Sequence, residues 1–185
     1  MYFEEIEPNQ TRLWIVNSLL ELLKKKNYSD ITINMLVEHA GLGRRTFYRY
    51  FKTKDEAMCH IAGLLMDQFA CNIKNNHSSG LEGVAVSYFQ FWEQYIDILL
   101  LLKKAHVLHF IEDNLLELIV DVAKKANHIP QDMPAEQLTQ FYEKYRYEFA
   151  FKLAGFWKTT ILWCEEVPRK SPEEMAKIIA SFMLP

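Results

Sequence analysis

Apolar residues recur at helical intervals along almost the whole chain. The first stripe is Leu13, Val16, Leu20 and Leu23, widened by Leu19, a spacing that turns one helical face inward. It predicts a helix from Pro8 to Lys26. Lys24-Lys25-Lys26 suits the negative end of its dipole, and Asn27-Tyr28-Ser29-Asp30 reads as a stop. Thr32 has the chemistry of a helix N-cap. Residues 33–40 form a short second helix, broken by Gly41-Leu42-Gly43, where glycine permits a turn that bulkier residues resist. A third helix runs from Arg44 to Tyr50, and Phe51-Lys52 is a linker. Thr53 with Glu56 is a capping box for a fourth helix reaching about Ile73.

Beyond a polar loop, Asn75 to Gly80, helical spacing continues. Leu81 to Tyr95, Ile96 to Ala105 and His106 to Asn127 read as further helices, and residues 129–134, with two prolines, as a break. Ala135 to Cys164 is one long helix, ended by Val167-Pro168-Arg169-Lys170. Ser171 caps the last, with Pro172 at its first position and Glu174 at its third. No segment reads as a β-strand, and no repeat is present. The expected fold is all-α: a three-helix helix-turn-helix domain over residues 1–58, then a larger helical domain over residues 59–185, whose expected dimerisation and ligand-binding roles rest on the residues and the resemblance given below.

Composition narrows the function classes. Half of the 185 residues are apolar and 14% are aromatic, ample for a core and unlike a disordered chain. No run of about 18 uncharged apolar residues suggests a membrane span. The opening Met1-Tyr2-Phe3-Glu4-Glu5 is acidic, unlike a signal peptide, so the expected location is the cytoplasm. Cys59, Cys71 and Cys164 are odd in number and widely spaced, which suggests neither a disulfide framework nor a thiolate zinc site. The net charge of −3 hides an asymmetry: residues 24–54 carry eight basic and two acidic residues, a net of +6, whereas residues 61–185 carry a net of −4. A small electropositive head on a mildly acidic body suits an anionic partner.

The head supplies the chemistry. Two short helices joined by a glycine turn make a helix-turn-helix unit, whose second helix can enter a major groove. Here that helix opens Arg44-Arg45-Thr46. Arginine can pair bidentately with guanine, and threonine can bond or pack against a thymine methyl. Tyr48, Arg49 and Lys52 read as phosphate or positioning groups. Phe47 and Tyr50 are three apart and share a face that can pack with Phe51 and Leu36. The bland alternative is a merely solvated basic surface, and Tyr48 is open to either DNA contact or packing.

Residues 10–58 resemble the DNA-binding domain of the tetracycline-repressor family. The matching features are Ile31-Thr32-Ile33, Leu36-Val37-Glu38-His39-Ala40-Gly41-Leu42, and the run from Arg45 to Glu56 with its Thr-Phe-Tyr-x-x-Phe-x-x-Lys pattern. The resemblance implies a homodimer, a palindromic double-stranded operator, and repression relieved by a small-molecule effector. It places Thr46, Tyr48 and Lys54 among operator-backbone contacts, Arg44 and Arg45 among variable base readers, and Thr32 at a helix start that meets phosphate. Gly43 stands where many members carry Ser. The second half is similar to a subgroup of Firmicute-type regulators with Phe-x-x-Ala-Gly and a later Trp, here Phe151 to Trp163, and more loosely to regulators beside dihydroxyacetone kinase operons.

Other constellations are weaker. Phe91, Trp92, Tyr95 and Tyr145 can line a ligand cavity, although their helical spacing equally suits a packed core. Phe149, Phe156 and Trp163 recur seven apart on the long helix, and Met175, Ile178 and Phe182 fall at three- and four-residue spacing on the last. Two such helices per subunit can build a four-helix interface across a two-fold axis. His106, His109 and Asp113 can share a helix face, but local spacing adds no third strong metal ligand. No catalytic arrangement, metal or cofactor is expected.

Overall fold

The computed structural model describes residues 3, 7–75, 80–115, 130 and 132–183, with the side chains of 73–75, 81, 114, 115, 149 and 183 set aside. The helices are α1 (Gln10–Leu23), α2 (Ile33–His39), α3 (Arg44–Tyr50), α4 (Lys54–Asn75), α5 (Gly80–Gln94), α6 (Ile96–Lys104), α7 (His109–Leu115), α8 (Ala135–Glu165) and α9 (Pro172–Met183). A 3-10 turn, Tyr28–Asp30, links α1 to α2. The fold is all-α, with no strand among the described residues.

Local chemistry sets the boundaries. Helix α1 starts later than Pro8 because Asn9 is its N-cap, its Oδ1 accepting from the Arg12 N–H at 3.1 Å. Thr53 Oγ1 caps α4 through the Glu56 N–H at 3.0 Å, while the Glu56 carboxylate accepts from Lys52 N–H, one residue before the expected reciprocal donor. The full reciprocal box occurs at α9, where Ser171 and Glu174 exchange bonds of 2.7 and 3.2 Å. His106 stands in a turn at φ 58° rather than on a helix with His109. The expected helix from His106 therefore begins at His109, and its stretch over 116–127 lies outside the described residues.

The chain divides into two compact units: residues 1–68 with 97–114, and residues 69–96 with 115–185. In the first, Leu13, Val16, Leu19 and Leu20 of α1 bury with Ile31, Leu36, Phe47, Phe51, Met58 and Ile61. The inward stripe of α1 is thus the one its spacing indicates.

The second unit has an aromatic interior. Helix α9 lies along α5, and the buried residues of α8 face Tyr88, Phe89 and Trp92 of α5. Ring centroids lie 5.1 Å apart for Phe89–Trp163, 5.4 Å for Trp92–Trp157 and 4.4 Å for Tyr88–Phe156. Thr160 Oγ1 lies 2.9 Å from the Tyr88 hydroxyl, and complete burial pushes the Tyr88 phenol far above the ordinary range.

This packing redistributes the stripe expected to face a second subunit. Trp163 is only 1% exposed, and its indole N–H donates to the Lys170 carbonyl at 2.8 Å. Phe156 packs on Tyr88 and Phe89, and Met175 is buried. Those three residues serve the interior of their own subunit, because the large rings of α5 offer the contacts that remove them from water. Ile178 is half-buried, Phe182 is 74% exposed, and the Phe149 side chain lies outside those described. The outward apolar row on α8 is instead Tyr147, Phe151 and Leu162, which fall within about 60° on an ideal helix.

Replacing Trp163 by Ala removes a fully packed ring and its hydrogen bond. A loss of about 3–5 kcal/mol is expected, measured by denaturant unfolding of the whole protein. A loss below about 1 kcal/mol would contradict this account of the interior.

Candidate nucleic-acid interface

Helix α2 begins at Thr32, whose Oγ1 accepts from the Met35 N–H at 3.3 Å. It ends in a Schellman motif. The Leu42 N–H returns to the Val37 carbonyl at 2.7 Å and the Gly41 N–H to the Glu38 carbonyl at 3.2 Å, which places Gly41 at φ 67°. Gly43 then caps α3 with extended backbone, φ −90° and ψ 153°, and no side-chain bond. Of the two glycines in this turn, only Gly41 has a backbone that demands one.

The two faces of α3 differ sharply. Phe47 is fully buried, its ring 6.0 Å from that of Phe51. Arg44, Arg45, Tyr48 and Arg49 are exposed, and so is Lys52 just beyond the helix. Tyr48 is 47% exposed, although its ring edge also meets Phe47 at 5.6 Å. Arg44 lies over the Tyr48 ring at 5.9 Å. Arg45 makes no hydrogen bond, ion pair or ring contact among the described residues. Thr46 is half-buried, with its N–H on the Gly43 carbonyl at 2.9 Å.

Tyr50, expected in the core beside Phe47, is only half-buried and joins α3 to the start of α1. Arg49 Nη2 donates to its hydroxyl at 3.3 Å, and the guanidinium lies 4.9 Å from its ring. Hydrogen bonds from Asn9 and Thr11, then Arg49, lower the Tyr50 phenol below its ordinary value.

Lys54 is turned inward, unlike the other cations. Its ammonium donates to the Ile31 carbonyl at 2.9 Å and to the Tyr28 carbonyl, and sits 4.0 Å from the Tyr28 ring centroid. Desolvation lowers its pKa, opposed by Asp55 and Asp30. The Tyr28 hydroxyl donates to Asp55 Oδ1 at 2.5 Å. Burial, followed by that bond, carries the Tyr28 phenol well above the ordinary range. A second tie, His60 Nε2 with the buried Glu7 carboxylate, is also new. None of these pairs has local spacing to announce it.

The other candidates are dispersed. Phe91 and Trp92 are buried ring against ring at 5.0 Å, Tyr95 packs on Phe91 at 4.9 Å, and Tyr145 packs on Phe141 at 4.7 Å. His109 stacks on Phe110 with centroids 4.3 Å apart. No group of three or more metal-ligating side chains occurs among the described residues, and none of their helices is long and apolar enough to cross a membrane.

The sequence model for bacterial regulatory proteins of the tetR family matches residues 15–56, the span from α1 through the first turn of α4. The match is confined to the helix-turn-helix segment, well under half of the chain. In helix-turn-helix domains generally, the outward face of the second helix of the motif is the one that can enter a major groove. The fold is similar to that of a TetR transcriptional regulator from Streptococcus agalactiae 2603V, with a TM-score of 0.63 and 23% identity, covering 94% of this chain and 93% of that one. It is also similar to the fatty acid degradation regulator FadR from Bacillus halodurans, at TM-score 0.57, 14% identity and 95% of both chains. The dihydroxyacetone kinase operon activator DhaS gives TM-score 0.53 at 17% identity, over 95% of this chain and 94% of that one. These likenesses are of fold. A search of curated proteins found no match.

The two glycines of the α2–α3 turn make a paired test. Gly41→Ala forces an L-residue into the left-handed region, at a cost of about 1–2 kcal/mol. Gly43→Ser meets no atom within 4 Å of its Cβ, and an N-cap hydroxyl should add a few tenths of a kcal/mol. Thermal unfolding of the two variants should move in opposite directions.

Proposed function

We propose that the protein is a homodimeric repressor that binds a palindromic operator through α3 of each subunit and is released by a small-molecule effector. The observation that carries this reading is the split of α3, with Phe47 buried and Arg44, Arg45, Tyr48 and Arg49 outward. Such a helix offers a major groove only charge and hydrogen-bonding groups. Arg45, without a partner among the described residues, is the base reader in this reading. Arg44, resting on Tyr48, is a pre-ordered second reader. Thr46, Tyr48, Arg49, Lys52 and the α2 start at Thr32 hold the backbone, where amides and cations meet phosphate.

Residues 1–58 are the DNA-reading part in this scheme, and 59–185 carry assembly and sensing. Two-fold symmetry would place the two α3 helices about 34–36 Å apart, or a multiple of it. The self-complementary surface is assigned to Tyr147, Phe151 and Leu162 of α8 with Ile178 and Phe182 of α9, since exposed rings in a row favour burial against a second copy. Repression follows if the bound dimer covers promoter sites. The protein would act in the cytoplasm, with no catalytic role.

The aromatic interior favours one rival reading. Phe91 and Trp92 are packed ring to ring with Phe69, Tyr88 and Trp157, as in a closed core. A regulator without an effector would have such an interior. Under the effector reading, the ligand would be met by Phe91 and Trp92 together with the half-buried Tyr95 and Tyr145. A small molecule that releases the operator complex and raises the unfolding temperature decides for the effector.

The DNA reading is tested on a duplex selected from a randomised pool. Arg45→Ala should cost about 1–3 kcal/mol on the selected duplex if it reads a guanine, with a far smaller loss on a scrambled one. Arg49→Ala should weaken both alike. Failure of the intact protein to enrich any duplex would sink the assignment.

Assembly is tested by light scattering coupled to size separation. The wild type should run as a dimer, with an interface burying over about 1,000 Å². Phe151→Glu and Leu162→Glu should shift it toward monomer while the helical circular dichroism persists. A dimer unchanged in both variants would place the interface elsewhere.

A further inference from the structure

Among the cations of the basic head, Lys54 has the most inward set of partners. An ammonium seated on two backbone carbonyls and a ring face is already partly desolvated and satisfied, so its charge is poorly placed to neutralise a phosphate. The two carbonyls belong to Tyr28 and Ile31, the ends of the turn between α1 and α2. The residue after Ile31 is Thr32, the N-cap of α2. Asp55, next to Lys54, holds the same turn from its other side through the Tyr28 hydroxyl. The first two residues of α4 therefore grip the α1–α2 connection by backbone and side chain together.

We propose that Lys54 and Asp55 form a positioning clasp, which sets where α2 begins and so aims α3, and that Lys54 contributes to DNA affinity through this geometry rather than through a phosphate contact. The proposal rests on the operator-binding reading above. Helices α2 and α3 are seven residues each, too short to be stable alone, so their placement depends on such ties. Ile31 shows the connection's place in the core: it is buried, and its N–H closes the turn on the Tyr28 carbonyl at 3.2 Å. Tyr28 adds an edge contact with Phe110 of α7 at 6.1 Å, which anchors the clasp in the same compact unit.

The test separates geometry from charge by salt dependence. Each lost phosphate contact lowers the slope of log affinity against log salt by about 0.9. The intact protein is titrated with the selected operator over a range of salt, for wild type, Lys54→Met, Lys54→Arg, Tyr28→Phe and the Lys54→Met/Tyr28→Phe double variant. The clasp predicts that Lys54→Met loses about tenfold in affinity with an unchanged slope, and that the unfolding midpoint of the free protein falls by several degrees. Lys54→Arg keeps the charge yet does not restore affinity, since a planar guanidinium does not fit a seat shaped for a compact ammonium. Tyr28→Phe removes no charge and still weakens binding, and the double variant loses less than the product of the two single losses.

A slope reduced by about 0.9 per site, full rescue by arginine and an unmoved unfolding midpoint would make Lys54 a phosphate contact and overturn the clasp. So would independent, multiplicative losses in the double variant. Should Lys54→Met fail to fold, Lys54→Arg and Tyr28→Phe carry the decision. If the wild type selects no duplex, the operator-binding reading itself fails and takes the clasp's function with it.

Discussion

A helix of seven residues has almost no stability of its own in water, and α3 is such a helix. What holds it is the burial of Phe47, with Phe51 one turn further on packed beside it. Once Phe47 is fixed inward, helical geometry leaves little choice for its neighbours. Arg44, Arg45, Tyr48 and Arg49 must point to solvent, at angles set by the 100° step between residues. The outward polar surface of α3 is thus a consequence of one buried ring. The Schellman turn at Gly41 and the grip on the Tyr28–Ile31 connection fix where α2 starts and stops, and with it the approach of α3.

The three arginines on that surface are not equivalent. Arg49 is drawn back over Tyr50, and Arg44 rests on Tyr48, while Arg45 has no such attachment. A guanidinium already resting on a ring has lost part of its freedom before DNA arrives, which lowers the ordering cost on binding. A guanidinium without such a rest keeps its freedom and pays the whole ordering cost on binding. The net +6 of residues 24–54 supplies attraction over a longer range. Lys54 belongs to that count but directs its ammonium into the protein.

In the second unit, aromatic side chains decide between interior and surface. Helix α5 presents Tyr88, Phe89 and Trp92 to the rings of α8, while its Phe91 packs on Phe69 of α4. That packing takes Trp157 and Trp163 of α8 inward and leaves Phe151, 81% exposed, and Leu162 outward. The same helix therefore has a finished face and an unfinished one.

The sequence by itself determined the helical register of α1, the caps at Thr32, Thr53 and Ser171, and the glycine turn between α2 and α3. These depend on residues a few places apart, and spacing along a helix reports them directly. It also placed the basic charge in the head, since charge is additive along the chain. Where the signal was short of chemistry, it missed. His106 ends α6 in the same Schellman geometry as Gly41 ends α2, the Val107 N–H reaching the Leu102 carbonyl at 3.0 Å, but histidine carries no turn signature as glycine does. Tertiary structure alone decided that Lys54 reaches back 23 residues to Ile31, that Glu7 pairs with His60, and that the heptad of Phe156 and Trp163 looks inward. A period of seven marks a stripe, but both faces of α8 carry aromatic residues. The choice between them rests on which face meets the rings of α5, a contact between segments some 70 residues apart in the chain, as at Phe89 and Trp163.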